Sequence, residues 1–304
     1  MIDLSICIVT QQARDYLRDC LHSIAENLSS IAYEIIVVDN ASCDGTLEML
    51  REEFPAVQVI TNDHNTGFTA PTNQALRQGS GRYLMPLNPD TLIHPGAVQT
   101  LLEFMKTHPQ VGICGPRVQN ADGSLQKSCR RGDSRPWAVF SYFLGLSRLF
   151  PRSKFFGGYH LNHLPEDAIN PVDGVAGSCM FIRREVIDQI GYLDERYFAY
   201  QEDADYCFQA RQAGWQVFYV PTARITHFGG RGGTRVQPYR SIYAWHRSYW
   251  LYYHKNFAKD YFFLFNWLYD GLIGLKLLSA LAINALRREK FAGPRRGTSQ
   301  KIIL

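Results

Sequence analysis

The chain has few cysteines and no cysteine pair. Its 304 residues include seven cysteines, an odd number, and no two are spaced as C-x-x-C. They lie at positions 7, 20, 43, 114, 129, 179 and 207. Single scattered cysteines argue against both a disulfide framework and a zinc site. We expect the thiols to be reduced.

The sequence also lacks a strong charge of one sign and the glycine loops that hold phosphates. The formal net charge is +4, and no basic stripe accompanies a nucleic-acid-reading motif, which argues against a nucleic-acid partner. No G-x-G-x-x-G follows the first apolar run, and no G-x-x-x-x-G-K-[ST] occurs. The chain therefore lacks the phosphate-binding glycines of dehydrogenases and P-loop enzymes. It also lacks the glycine- and lysine-rich loop that a nucleotidyltransferase would need near its N-terminus.

No signal peptide is visible ahead of folded structure. The strand-like run at residues 4–9 begins at once, without the charged and apolar regions that a secretory signal needs before it. Together with reduced thiols, this predicts a cytoplasmic location.

The first 118 residues alternate short apolar runs with helical patterns. Strand-like runs lie at 6–9, 34–38, 57–60 and 82–87, and helical segments lie at 16–28 and 46–53. This alternation predicts an α/β fold with a doubly wound, mostly parallel sheet, whose ligands bind at the carboxyl ends of the strands. We divide the chain into a domain at 1–235, with a nucleotide-binding half at 1–118 and an acceptor and catalytic half at 119–235, and an extension at 236–304. Residues 128–170 lack clear periodicity and are expected to form a variable loop.

Polar residues follow the predicted strands. Thr10 closes the first strand, Asp39-Asn40 closes the second, Asn65-Thr66-Gly67 follows the third, and Asn88-Pro89-Asp90 ends the fourth. One such residue would indicate a turn or a helix cap. Four groups at the edge where ligands bind predict a binding site.

An acidic segment precedes a predicted helix at 206–213. Glu202, Asp203 and Asp205 are favoured there by the helix dipole, yet they repel one another enough to perturb at least one pKa. Such a carboxylate can act as a base, although acids also simply cap helices.

Together these motifs resemble the family-2 inverting glycosyltransferases of the GT-A fold, and among them the bacterial rhamnosyltransferase-like group. The resemblance runs from about residue 4 to 235, in the family's order. The matching residues are Val9-Thr10, Val38-Asp39-Asn40-Ala41-Ser42-x-Asp44-Gly45-Thr46, Asn65-x-Gly67-Phe68 with Asn73, Leu87-Asn88-Pro89-Asp90, Gly177-Ser178, Arg183-Arg184, Gly191-x-Leu193-Asp194-Glu195, Tyr200-x-Glu202-Asp203-x-Asp205, Arg211-x-x-Gly214 and His227-x-x-Gly230.

The resemblance implies a role for each site residue. Asp203 matches the family's base, and Glu202 contacts the acceptor or tunes Asp203. Asp90 matches the last residue of a D-x-D metal motif for Mg²⁺ or Mn²⁺, and His227 matches a histidine that completes the metal site in some members. Asn88 departs from the pattern, since many members have an acid there, so the site has one carboxylate fewer to neutralise a metal ion. The remaining donor-binding positions are Thr10, Asp39, Asn40, Asn65, Gly67, Asn73 and Arg211, of which Arg211 has the alternative role of a salt-bridge partner.

The resemblance also implies the reaction. We expect transfer of a sugar, L-rhamnose from dTDP-L-rhamnose, to a hydroxyl of a cell-surface glycan or a polyprenyl-diphosphate-linked acceptor. The alternatives are a UDP- or GDP-sugar donor, or a non-catalytic nucleotide-sugar-binding module. A homodimer is left open.

Beyond residue 236 the sequence becomes aromatic and helical. On a projection of about 100° per residue, the polar side chains fall within an arc of about 120°. They are Asn266, Asp270, Lys276, Asn284, Arg287 and Arg288. Because Asp270 and Lys276 interrupt a membrane span, we expect an amphipathic helix lying in the membrane plane, with contact through 261–301 at the inner face of the plasma membrane. The basic residues 287, 288, 290, 295, 296 and 301 follow it. The alternative is an apolar face packed on the domain.

Overall fold

The computed structural model describes residues 2–230 and 238–286. The strands are β1 Leu4–Thr10, β2 Tyr33–Asn40, β3 Gln58–Asn62, β4 Tyr83–Leu87, β5 Thr91–Ile93, β6 Val111–Gln119, β7 Arg130–Arg131, β8 Asn170–Pro171, β9 Gly174–Val175, β10 Phe181–Arg183 and β11 Gln216–His227. The helices are α1 Arg14–Asn27, α2 Thr46–Glu53, α3 Thr69–Gln78, α4 Ala97–Thr107, α5 Pro136–Phe143, α6 Leu146–Leu149, α7 Arg184–Ile190, α8 Glu202–Gln212, α9 Pro238–Asn256 and α10 Phe263–Leu286.

The central sheet has the strand order β3-β2-β1-β4-β10-β6-β11-β5. The pairs β1–β2, β1–β4, β2–β3 and β6–β11 are parallel, while β10 is antiparallel to both of its neighbours. Strand β1 is buried along its whole length, as expected for a strand covered by helices on both faces. The predicted α/β fold with a mostly parallel sheet and a C-terminal helical extension is confirmed.

Two segments differ from the sequence-based expectation. Residues 128–170, predicted to be a variable loop, contain β7, α5 and α6. The helix predicted at 206–213 begins earlier, at Glu202, because Tyr200 and Gln201 both adopt left-handed backbone angles, with φ of 71° and 63°, and turn the chain sharply before the acids.

Helix α10 packs on α9 with its polar side. Asp270 accepts hydrogen bonds from Trp250 at 2.9 Å and His254 at 2.7 Å, and Asn266 accepts one from Tyr253. The ring of Tyr269 stacks on that of Tyr253. The apolar side faces outward: its large side chains are Leu264, Trp267, Leu268, Leu272, Leu275, Leu278, Ile283 and Leu286, all more than half exposed.

The predicted polar arc of α10 therefore exists, but it points into the protein. The alternative that the apolar face packs on the domain does not hold for the described residues. Among those residues one helix, α10, is long and apolar enough to cross a membrane by length and composition. The basic residues from 287 onward lie outside the described part of the chain.

Candidate active site

A cleft opens at the carboxyl ends of the central strands. It collects most of the predicted donor-binding residues from β1, β2 and the loops after β3 and β4, and helix α9 supplies part of its wall. Its lining residues are Val9, Thr10, Gln11, Asn40, Asn65, Gly67, Phe68, Asn88, Pro89, Asp90, Phe198, Ala199, Tyr200, Gly230, Arg240, Ser241 and Ala244.

Two buried oxygens at the ends of β1 and β2 have no hydrogen-bond donor among the described residues. They are Oγ1 of Thr10 and Oδ1 of Asp39. The other carboxylate oxygen of Asp39 accepts a hydrogen bond from the Ser42 amide at 3.0 Å, which fixes the side chain. A buried polar atom normally has a partner, so these two oxygens suit the hydroxyls or amides of a bound nucleoside.

Asn40 and Asn65 organise the rim of the cleft. The amide of Asn40 donates to Oδ1 of Asn65 at 3.0 Å and to the Gly67 carbonyl at 2.7 Å, and its Oδ1 accepts from the Thr66 amide at 3.1 Å. A side chain at Gly67 would lie 2.3 Å from the Phe198 carbonyl oxygen, and its φ is +97°. The Phe68 amide donates to the same Phe198 carbonyl at 2.6 Å, and this bond holds the loop after β3 against the segment that leads to the acidic corner.

Asn88, Asp90 and His227 meet at the other end of the cleft. Nε2 of His227 lies 3.1 Å from Oδ1 of Asp90 and 3.1 Å from Nδ2 of Asn88. Gln126, which the sequence patterns do not indicate, orients the ring: its Nε2 donates to the His227 carbonyl at 2.5 Å, so its Oε1, 3.0 Å from Nδ1, accepts the proton that Nδ1 carries. In a neutral His227, Nε2 therefore keeps its lone pair facing Asp90.

This pair of acceptors fits a divalent cation. Adjacent ligand atoms around an octahedral ion with bonds of about 2.1 Å lie about 3 Å apart, close to the observed separation of Oδ1 and Nε2. Gln126 supplies the support that a ligating histidine usually receives through its other nitrogen. Among the described residues no cluster of three or more His, Cys, Asp or Glu side chains could hold a metal, so Asp90 and His227 could supply only part of the coordination of an ion.

The acidic corner at the start of α8 lies next to Tyr200 of the cleft wall. Three donors bind the carboxylate of Asp203. The Arg131 guanidinium donates to Oδ1, the Ala204 amide also donates to Oδ1, at 2.7 Å, and the Gly177 amide donates to Oδ2 at 2.8 Å. Glu202 is also buried, and its Oε2 has no hydrogen-bond partner among the described residues. Burial, together with the neighbouring charge of Asp203, raises the pKa of Glu202 to about 8. One carboxylate is thus held by donors while its neighbour resists ionisation.

Asp205, the third acid, joins the corner to α9. It accepts hydrogen bonds from Lys255 at 2.6 Å and from Asn256 at 2.9 Å. The carboxylate of Asp205 therefore has a structural role, in joining α8 to α9.

Three predicted donor-binding residues do not line the cleft: Asp39, which is buried at the end of β2, Asn73 and Arg211. Asn73 is fully buried and bonds both backbone groups of Leu193, at 2.8 and 3.0 Å. Arg211 forms an ion pair with Asp133 at 2.5 Å and bonds the Asp173 carbonyl at 3.0 Å. These contacts favour structural roles, and for Arg211 they match the salt-bridge alternative.

Comparison with known proteins identifies relatives across most of the chain. Residues 5–191 match the family model of Glycosyl transferase family 2. The chain is 30% identical over 225 residues to an N-acetylglucosaminyl-diphospho-decaprenol L-rhamnosyltransferase of Mycobacterium tuberculosis, covering 70% of this chain and 72% of the relative. It is 24% identical over 262 residues to the low-salt glycan biosynthesis hexosyltransferase Agl10 of Haloferax volcanii, covering 85% of this chain and 78% of that one.

Solved structures share the fold. Residues 1–349 of S. aureus TarS superpose with a TM-score of 0.53 at 16% identity, over 83% of this chain and 65% of that chain. GalNAc-T7 with UDP, GalNAc and Mn²⁺ superposes with a TM-score of 0.55 at 16% identity, over 75% of this chain and 44% of that chain. The chain thus spans less than two thirds of either solved chain, and the likeness concerns the fold alone.

Proposed function

The chain belongs to glycosyl transferase family 2 and is a glycosyltransferase, and we propose that it transfers L-rhamnose from dTDP-L-rhamnose to a hydroxyl of a polyprenyl-diphosphate-linked glycan, with inversion. The observation that carries this proposal is the 30% identity to the mycobacterial L-rhamnosyltransferase over 70% of the chain. A UDP- or GDP-sugar is the alternative donor.

The chemistry assigned to the acidic corner is a single displacement. The acceptor oxygen forms a bond to the anomeric carbon, the bond from that carbon to the diphosphate breaks, and the nucleoside diphosphate leaves with the electron pair. The hydroxyl proton passes to the carboxylate of Asp203. Glu202 neighbours Asp203 and tunes its charge environment.

Asp90 and His227 would hold the divalent ion, Mg²⁺ or Mn²⁺, together with oxygens of the donor diphosphate. Such an ion supplies positive charge to the departing diphosphate. Thr10 and Asp39 would bind the nucleoside through their unpartnered oxygens, and Asn40, Asn65 and Gly67 would hold the loop against which it lies. Asn88 would hold His227 through its amide.

We also propose that α10 attaches the enzyme to the inner face of a membrane, where a lipid-linked acceptor would lie. A soluble helix normally buries its apolar stripe and exposes its polar one, whereas α10 does the reverse. The segment α5–α6 lies next to α10, since the ring centroid of Phe143 is 4.5 Å from Nζ of Lys276. It adds exposed aromatic side chains to the same surface. Exposed apolar surfaces of this extent mark interaction sites, and the basic residues that follow α10 in the sequence suit an anionic leaflet.

The test is transfer by the full chain from a panel of dTDP-, UDP- and GDP-sugars to a short-chain N-acetylglucosaminyl-diphospholipid. We expect dTDP-L-rhamnose to give the most product, with the anomeric configuration inverted. In the Asp203→Asn variant kcat should fall roughly 100-fold or more, with donor affinity nearly unchanged, because an amide cannot accept the proton. Binding of a nucleotide sugar without any transfer would instead favour the non-catalytic module.

A further inference from the structure

Arg131 belongs to the catalytic corner although no sequence pattern singles it out. It lies on β7, where pairing with β9 sets it opposite Gly174. Its side chain is 10% exposed, and its guanidinium donates from Nη2 to Oδ1 of Asp203. A cation this deeply buried needs its partner, since breaking a buried ion pair leaves an uncompensated charge.

With the contact from Arg131, three hydrogen-bond donors surround the carboxylate of Asp203. The backbone amides of Gly177 and Ala204 each donate a hydrogen bond to the carboxylate of Asp203. The side chain of Arg131 donates a third. Nη2 of Arg131 holds Oδ1 from a third direction, beside the two amides, and the planar guanidinium presents that donor in a fixed direction. Arg131 therefore limits the rotation of Asp203.

Arg131 also balances charge at the corner. Glu202 and Asp203 are neighbouring buried acids, and Arg131 lowers the pKa of Glu202 against the larger effects of burial and of Asp203. The other titratable groups around the ion pair are Tyr159, Tyr249, Tyr252, Cys207 and His160. Burial raises the pKa of the three tyrosines and raises that of Cys207 to about 12, and burial lowers the pKa of His160 to about 4. Near neutral pH these five groups stay uncharged.

We infer that Arg131 is a positioning residue, which holds Asp203 as an oriented carboxylate toward the acceptor hydroxyl. This inference rests on the proposed role of Asp203 as the base. Arg131 itself exchanges no proton, because a guanidinium stays charged throughout the working pH range.

The test compares Arg131→Gln and Arg131→Lys with Arg130→Gln, using the donor that gives most transfer in the panel. Arg130 is a matched control: it is the adjacent residue and is also buried, but its guanidinium donates to the carbonyls of Pro165 at 2.7 Å and Leu164 at 3.0 Å. We expect Arg131→Gln to lower kcat at least 10-fold and to leave the KM of the donor within about twofold. The acid limb of the pH profile of kcat should move to higher pH, because a carboxylate without its cation protonates more readily. Arg131→Lys should restore the position of the limb, and Arg130→Gln should keep it.

The double variant Arg131→Gln with Asp203→Asn shows whether the arginine works through the aspartate. If it does, kcat of the double variant equals that of Asp203→Asn alone, since the two losses are not additive. An unchanged pH profile in Arg131→Gln with only a lower Tm would overturn the inference, as would a raised acceptor KM with normal kcat. Should Arg131→Gln fail to fold, the pH profile of kcat in Arg131→Lys decides. An acid limb near the wild-type position together with a reduced kcat supports positioning. A wild-type limb together with a wild-type kcat contradicts it. Near-normal turnover of Asp203→Asn by itself would refute the base assignment, separately from any result on Arg131.

Discussion

Replacing the outward leucines of α10 should detach the enzyme from membranes without unfolding it. Leu272, Leu275 and Leu278 are 53%, 62% and 65% exposed, and glutamine matches leucine in helix propensity. Full burial of a leucine side chain contributes about 1.5–3 kcal/mol, so the exposed part of each side chain can contribute about 1 kcal/mol on entering lipid. The triple Leu→Gln variant therefore loses about 3 kcal/mol of binding free energy, or roughly 100-fold in the partition coefficient.

The assay is co-sedimentation with anionic vesicles at fixed salt, alongside thermal unfolding in the absence of vesicles. The triple variant should keep a Tm close to that of the wild type, because surface substitutions change stability little. Tyr269→Ala is the matched control on the inward side of the same helix. Tyr269 is 9% exposed and its ring centroid lies 3.9 Å from that of Tyr253, so this variant should lower the Tm clearly.

Two results would refute the reasoning about α10. A fall in Tm of the triple variant as large as that of Tyr269→Ala would mean that the leucines are packed in the protein. Unchanged vesicle binding would mean that lipid is not what covers this face, and a change from dimer to monomer in sedimentation would assign it to a second copy of the chain.

Three further predictions concern the site and the basic segment. Asp90→Ala should weaken binding of the nucleoside diphosphate in Mn²⁺ or Mg²⁺ and have little effect in EDTA, measured by calorimetry; equal binding by both proteins with metal present would rule out a cation at this corner. Because the pKa of Glu202 is raised to about 8, its contribution to stability is present below its unfolded pKa and is lost as the pH rises toward 8, with a slope of up to about 1.4 kcal/mol per pH unit. Glu202→Gln should flatten that slope in denaturant unfolding between pH 5 and pH 8, and an identical slope would argue that another group titrates. Replacing the basic residues 287, 288, 290, 295 and 296 with Gln should release the protein from anionic vesicles at moderate salt, since each contributes about 1 kcal/mol that salt screens. Transfer to a soluble acceptor should continue. Retention on the vesicles would mean that the apolar face alone attaches the protein.

The parts of the site that the sequence predicts are those fixed by local pattern. Strands β1, β2 and β4 are continuous apolar runs, and parallel strands bring their carboxyl ends to one edge. The sequence therefore predicts that Thr10, Asn88 and Asp90 share one cleft, and all three line it. The acidic run at the start of α8 is visible in the sequence, and within that run the resemblance to the family is what assigns the base to Asp203.

Residues that long-range pairing brings to the site could not be predicted in this way. Arg131 lies on a two-residue strand whose partner, β9, is more than 40 residues away in the chain, too short for any periodicity to show. Gln126 acts only through His227, and a lone glutamine carries no pattern. The stretch from 128 to 170 shows no clear periodicity, and such a stretch predicts a loop.

The orientation of α10 was beyond the sequence for a different reason. A helical projection shows that polar and apolar residues separate, but not which side meets the protein. That choice comes from particular partners on α9, such as the pairing of His254 with Asp270.

Helix α9 has a consequence for engineering this enzyme. It contributes Arg240, Ser241 and Ala244 to the wall of the cleft, and its far end holds Asp205 through Lys255. A chimera that joined the first 235 residues to the C-terminal part of a relative would therefore exchange one wall of its own pocket and a partner of its own acidic corner. Substrate preference in such hybrids should follow the origin of α9 as well as that of the sheet, and a useful exchange point lies after α9, near residue 260.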